Sequence, residues 1–336
     1  MSNLKKVLIN KIPCKSIWFM RQAGRYLPEF RSIRSQNPDF IQLCLNSKLS
    51  ADITLQPIKR FDLDSAIIFS DILMVPFALG QNVTFIKNEG PKLSDFNVKL
   101  FLENSEKNFT EKLNPIYKAI EISRKKLNKN KSLISFIGAP WTLLIYMLDL
   151  RKNKNQLNLK KFTNSILIIN EILEMLIEFL CIHIKNQINA GADVVQIFDS
   201  WASLIPSEFT QDYCYIPNSK IVKFCKSREI PNICFPKGIK DKYEEFNNFV
   251  KPDGLNIDFE IDPVWAREKL KNTVIQGGMD PQILLQEDEE IYKTATKYIK
   301  AFKDIPYIFN LGHGLLPQTD PAKVEKLLKF YRNFYG

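Results

Sequence analysis

The chain has 336 residues, 45% of them hydrophobic, and 47 Lys and Arg against 37 Asp and Glu leave a formal net charge of +10. That length buries a large core, and the charge favours an anionic partner by long-range steering, with part of the excess set aside for the Lys- and Asn-rich solvated faces. Six cysteines with no C-x-x-C pair and no regular spacing read as reduced thiols, no RNA-binding signature, zinc-finger spacing or long basic run points to nucleic acid, and Met1-Ser2-Asn3-Leu4-Lys5-Lys6 carries no signal-peptide apolar core.

Short apolar runs rich in β-branched and aromatic residues alternate with longer helical patterns. They predict strands at 17–20, 66–70, 133–137, 194–198, 233–235, 254–257, 273–276 and 307–310. Between them helices are predicted at 47–60, 110–127, 162–189, 217–228, 263–270, 288–302 and 321–334. This alternation predicts an α/β fold, a (β/α)8 TIM-type barrel with residues 1–336 as one domain, and such barrels build their active-site cleft at the C-terminal ends of the strands. A doubly wound open sheet fits less well, because no G-x-G-x-x-G follows the first strand. The run 166–188 is interrupted by Asn170, Glu171, Glu174, Glu178 and Lys185, which predicts an amphipathic buried helix and no membrane span. The Lys-rich stretches 125–131 and 151–161 read as exposed turns and helix ends.

Polar or glycine residues follow most of the predicted strands. After the first comes Arg21-Gln22-Ala23-Gly24-Arg25; a helical turn there would set both guanidiniums on one side, ready for a carboxylate or phosphate. The second ends in Asp71, a carboxylate among apolar residues that must be paired, hydrogen-bonded or useful, and taken alone a cap or ion pair is the simpler reading. The third leads through Gly138-Ala139-Pro140-Trp141-Thr142 into a helix, with Pro140 suited to its first turn and Tyr146 farther along. Asp199-Ser200-Trp201 follows the fourth, with Ser200 either a helix cap or a hydroxyl facing the cleft. Lys237-Gly238 and Asp258 come next, then Gly277-Gly278-Met279-Asp280-Pro281, which is either a plain turn or a contact surface. His313 stands between Gly312 and Gly314, where backbone can approach a ligand closely, whereas His183 lies among Ile182, Ile184 and Ile188 as a structural histidine.

These segments together, with Leu55-Gln56-Pro57, Arg60-Phe61 and Phe69-Ser70-Asp71-Ile72-Leu73, closely resemble the uroporphyrinogen decarboxylase family in order, from about Ile12 to the final helix. The resemblance implies a barrel, usually a cytosolic homodimer, that decarboxylates the four acetate side chains of uroporphyrinogen III to methyls and yields coproporphyrinogen III without metal or other cofactor. It implies that Asp71 accepts the pyrrole N–H groups and that Arg21, Gln22, Ala23, Gly24, Arg25, Arg34, Phe69, Asp71, Tyr146, Ser200 and His313 contact substrate. Asp71, Arg21, Tyr146 and His313 are then the candidates for the chemical steps, with the proton donor left open among the last three. The family pattern is broken at 236–240, which has fewer glycines, and at Asn256 and Phe259, where Gly and Trp are usual, so the geometry of those loops is in question.

Two other functions compete. A zinc-using methyltransferase of the same barrel superfamily would need an H-x-C followed by a placed cysteine, which the chain lacks. A non-catalytic tetrapyrrole carrier would not need both Asp71 and the arginine pair. Neither nucleic acid nor membrane is expected as a partner.

Overall fold

The structure, a computed structural model, describes residues 1–14, 16–86, 90–153 and 155–334. Its centre is a parallel sheet of eight strands: β1 Ser16–Ile17, β2 Ser65–Ile67, β3 Ser132–Gly138, β4 Val194–Asp199, β5 Asn232–Pro236, β6 Gly254–Ile257, β7 Val274–Gly277 and β8 Tyr307–Phe309. Neighbours in space follow the order of the chain, with β8 returning beside β1. The remaining seam, between β1 and β2, closes through Asp64: its N–H donates to the Ile17 carbonyl at 3.0 Å and its carboxylate accepts from Ile17 N at 2.8 Å. Arg332 of the last helix, Pro321–Phe334, donates to the same carboxylate at 2.9 Å, so the end of the chain locks the seam near its start. The expected barrel is therefore the observed one.

Three strands end before their predicted runs do, at Ile17, Ile67 and Phe309, and side chains explain this at two places, beyond Ile67 and where Met20 meets Asn310. Beyond Ile67 the chain peels away, and Thr54 Oγ1 and Ser50 Oγ on helix Ser47–Arg60 take over the Phe69 N–H at 2.8 Å and carbonyl at 2.6 Å. Past Phe309 the carboxamide of Asn310 accepts from Met20 N at 3.1 Å and from Leu311 N at 2.8 Å, imitating a strand with a side chain. The polar demand of the backbone is met in both places without sheet pairing.

The barrel is filled and plugged. Leu4, Val7 and Leu8 lie on one face of helix Asn3–Asn10 and pack with Trp18, Ile134, Val194 and Ile308 inside the barrel. Above them Gln276 ties the interior together, accepting from Trp18 Nε1 at 3.0 Å and donating to Gln196 Oε1 at 3.0 Å and Asn256 Oδ1 at 2.8 Å. A buried network with its amides satisfied fixes register where an apolar layer would leave slack. The larger apolar core lies between the sheet and its outer helices.

The predicted helix 162–189 belongs to Leu159–Asn189, and no helix among the described residues is long and apolar enough to cross a membrane. His183 is buried on it, bonded through Nδ1 to the Tyr117 hydroxyl at 3.0 Å and pushed down to about 3 by burial, a structural neutral imidazole as expected. All six cysteines are free thiols. One expectation fails in part: 151–161 begins with an antiparallel hairpin, Arg151–Asn153 against Gln156–Leu157, and only then enters the helix.

Candidate active site

The loops after the strands converge on one mouth of the barrel, and Arg21 is their hub. It does not lie on a helical turn, as the four-residue spacing suggested. Residues 20–27 are turns and bends, and Arg21 itself sits at φ +60°, a left-handed conformation that costs a non-glycine residue about 1–2 kcal/mol. Gln22 holds that shape: its N–H donates to the Phe19 carbonyl at 3.0 Å, its side chain accepts from Phe19 N at 3.0 Å and donates to the Ser65 carbonyl at 2.9 Å. Fully buried in those bonds, the Gln22 side chain braces the loop and offers no amide to the cleft, which corrects the direct contact expected of it.

Two glycines make room. A Cβ on Gly24 would meet the Arg21 carbonyl oxygen at 2.7 Å, and one on Gly314 would meet Arg21 Cγ at 2.6 Å. The second fact joins the two motifs at opposite ends of the sequence, because the glycine after His313 is the floor on which the Arg21 side chain lies. Gly314→Ala should therefore displace a flexible side chain and leave the backbone intact. The expected result is a loss of roughly tenfold or more in kcat/KM with an unchanged Tm, read by steady-state kinetics and thermal melting.

Arg21 keeps exposed surface, yet neighbouring protein crowds it; this desolvation, and then the like charge of Arg25, lower its pKa, while Asp71 and Tyr146 act against them. Among the described residues neither the Arg21 nor the Arg25 guanidinium has a hydrogen-bond or ion-pair partner. Arg34 stands farther out, donating to the Asn37 carbonyl at 2.5 Å with its guanidinium 5.7 Å from the Phe40 ring centre, and Phe40 in turn meets Phe69 edge-on at 5.8 Å. Ala23 and Gly24 are half-buried along the same loop.

Asp71 follows β2. One carboxylate oxygen accepts from Leu73 N at 2.8 Å, and the other accepts from no protein group among the described residues. Burial pushes its pKa up to about 6, against the pull of the Leu73 hydrogen bond and the Arg21 charge. Tyr146, on helix Pro140–Met147, is raised by burial, and next to it the Trp201 indole packs edge-on at 6.0 Å between ring centres. The indole N–H lies near enough to favour the tyrosine anion but misses hydrogen-bond geometry, and it is buried without an acceptor.

Ser200 is held from both sides. Thr142 Oγ1 donates to Asp199 at 2.7 Å and accepts from Trp201 N at 3.1 Å, while Trp141 Nε1 donates to the Trp201 carbonyl at 2.9 Å. The helix-cap alternative for Ser200 does not apply, since the short turn Ala202–Leu204 starts beyond Trp201 and takes no side-chain cap. Asp199, which also accepts from Asn218 Nδ2 at 3.3 Å, is buried and pushed up to about 6, an internal strut beneath the loop.

His313 is half-buried and lowered to about 3, first by desolvation and then by the charges of Lys237 and Arg21. Lys237, which the sequence marks only as part of a strand-end loop, is the residue to which sequence reasoning gives no role. It follows β5, is itself lowered by burial, and adds a further positive charge near Arg21 and His313; a lysine directly before a glycine at a strand end was the signal available. Asp258 fixes that loop, accepting from Gly238 N at 2.7 Å and from Tyr243 Oη at 3.0 Å, so one glycine at φ +76° suffices there. Asn256 faces the interior and fills the space a Cβ on Gly277 would need, 2.7 Å from its amide nitrogen. The Gly277-Gly278 segment is a packed turn, with Tyr307 Oη donating to the Gly277 carbonyl at 2.8 Å and Tyr298 Oη to that of Gly278 at 2.6 Å.

Arg21, Asp71, Tyr146 and His313 thus share one electrostatic neighbourhood, rich in unpaired positive charge around one partly open carboxylate. Among the described residues no cluster of three or more His, Cys, Asp or Glu has the arrangement of a metal site. A sequence profile described as uroporphyrinogen decarboxylase (URO-D) matches residues 4–334. The chain belongs to that family. A relative named uroporphyrinogen decarboxylase from Orientia tsutsugamushi (strain Ikeda) is 42% identical over 325 residues, 95% of this chain and 94% of the relative. One of the same name from Rickettsia bellii (strain RML369-C) is 40% identical over 338 residues, covering 98% and 97% of the two chains. Among solved structures a methyltransferase from Methanosarcina mazei superposes with a TM-score of 0.79 over 99% of this chain and 98% of that one, at 16% identity, a likeness of fold alone. Family membership gives the unpaired cations a reason, since a uroporphyrinogen decarboxylase must hold a substrate with many carboxylates.

Proposed function

We infer that this chain is a carboxy-lyase that converts the four acetate side chains of uroporphyrinogen to methyl groups, giving coproporphyrinogen in tetrapyrrole biosynthesis. Whole-length similarity to the family carries the substrate. The observation in the site that best supports the chemistry is Asp71, a carboxylate with one oxygen anchored and the other open, beside arginines without protein partners.

Decarboxylation leaves an electron pair that needs a sink. Protonating the pyrrole at a ring carbon makes a cation; cleavage of the acetate C–C bond then releases CO2 and sends its electrons into the ring as an exocyclic double bond. A second proton converts the methylene to methyl, and loss of the first proton from the ring restores the pyrrole. Two protons enter and one leaves, so the ring acts as its own electron sink. We propose that Asp71, ionised above about pH 6, receives the pyrrole N–H groups and stabilises the cation, while Arg21, Arg25 and Arg34 hold carboxylates. Tyr146, Ser200, His313 and Phe69 would complete the contacts. His313 is neutral in the free protein at neutral pH, so it enters as a hydrogen-bonding imidazole, and a bound polyanion that offsets Lys237 and Arg21 would make it a better base.

Anaerobic incubation of chelator-treated protein with uroporphyrinogen, followed by oxidation and chromatography of the porphyrins, tests the reading. Coproporphyrin is the expected product; unchanged uroporphyrin would favour a carrier, and activity recovered only with a particular metal would favour a metal-dependent enzyme. We further propose that residues 1–336 act as one domain, in a cytoplasmic homodimer. Sedimentation at micromolar concentration tests the dimer, and a fully active monomer would refute it.

A further inference from the structure

A cation that the family motifs do not include sits at the same mouth. Arg151 opens the hairpin that follows helix Pro140–Met147, with its backbone register set by pairing to Leu157 and by the Asn158 N–H bond to the Leu150 carbonyl at 2.8 Å. Its guanidinium carbon lies 5.0 Å from the Tyr146 ring centre and 4.6 Å from that of Trp201, against two rings that face each other edge-on. Stacking on aromatic rings immobilises a guanidinium while leaving its in-plane N–H groups free. Among the described residues those N–H groups meet no acceptor, and the nearby Asp149 is paired with Lys161 at 3.2 Å. The buried Trp201 N–H, also without an acceptor, lies in the same cluster, and Ser200 precedes it in the chain. Arg151 is half-buried, within reach of solvent.

We propose that Arg151 is a further substrate-positioning residue: clamped by Tyr146 and Trp201, it binds a peripheral carboxylate of the anionic tetrapyrrole. In strand order the cluster lies on the third and fourth loops, whereas Arg21, Arg25 and His313 lie on the first and eighth, so Arg151 approaches the substrate from another side of the mouth, with Tyr146 near both Arg151 and Arg21. A carboxylate held by a charge-assisted fork is stabilised against loss as CO2, so the group it holds is not the one reacting. Its contribution falls on binding.

The inference rests on the decarboxylase reading, and wild-type turnover of uroporphyrinogen tests that reading separately. Arg151→Gln is expected to raise KM roughly five- to tenfold while kcat stays within about twofold, with Arg151→Lys in between because charge survives without the fork. If the wild type turns over and Arg151→Gln leaves KM within about twofold, or lowers kcat at unchanged KM, the proposal is overturned and Arg151 is a packing residue. Should the glutamine variant not fold, Arg151→Lys decides: a wild-type KM overturns the proposal.

Discussion

Asp71→Asn is expected to cut kcat/KM for uroporphyrinogen at least a hundredfold while leaving the fold intact. The amide oxygen can still accept from Leu73 N, now at 2.8 Å from the carboxylate, so the local turn survives. What disappears is the negative charge beneath a pyrrole that becomes cationic, and half of the acceptor becomes a donor facing N–H groups. Removing one preorganised electrostatic group costs about 3 kcal/mol at comparable sites. Asp71→Glu keeps the charge but moves it by a methylene, and is expected to retain more activity. Near wild-type turnover by folded Asp71→Asn would refute the mechanism even though the family assignment stood.

Stability should move the other way. The folded protein raises Asp71 to about 6 from an ordinary 3.8, chiefly by burial, so the native state holds this proton more tightly than the unfolded chain. Ionising the group therefore costs stability as pH climbs from about 4 to about 6, on the order of 3 kcal/mol, and the cost is full above that range. Asp71→Asn removes it: its Tm should match the wild type near pH 4 and equal or exceed it at pH 7. The acid limb of the kcat/KM profile, expected near pH 6 in the wild type, should vanish in the residual activity of the variant. A destabilising charge kept at the mouth of a barrel is what a functional group looks like.

The alternation of short apolar runs with helical patterns was enough to read the barrel, because both buried faces of a parallel sheet demand such runs. It could not show the seam, where Asp64 does the work of a strand pair, or the plug, since the three buried apolar residues of helix Asn3–Asn10 look like any short amphipathic turn. In the site, residues with unusual chemistry at strand ends were legible: Arg21, Asp71 and His313. Gln22 was misread because a motif records that a residue matters, and a brace matters as much as a ligand; only its three hydrogen bonds reveal which. Lys237, legible after its strand, received no role and Arg151 stayed hidden, both for another reason. In a chain with 47 Lys and Arg, a single cation carries little signal until the fold shows which ones lack a counter-charge.

Arg21→Lys should be nearly as damaging as loss of the charge altogether. At φ +60° the backbone aims this side chain across Gly314 into the cleft, and a lysine there would inherit the same desolvation and the same repulsion from Arg25. An ammonium is a point donor and cannot match a carboxylate with two parallel bonds; it also loses its proton far more easily than a guanidinium when crowded by cations. We expect KM to rise and kcat/KM to fall roughly thirty- to hundredfold, as befits a charge-assisted pair lost from a partly desolvated site. Arg21→Gly separates function from folding, because it removes the left-handed strain and the repulsion together: turnover should be abolished while Tm is kept or raised. If Arg21→Lys kept wild-type kcat and KM, the guanidinium fork would have no role, and if Arg21→Gly melted early, Arg21 would be holding the loop and not the substrate.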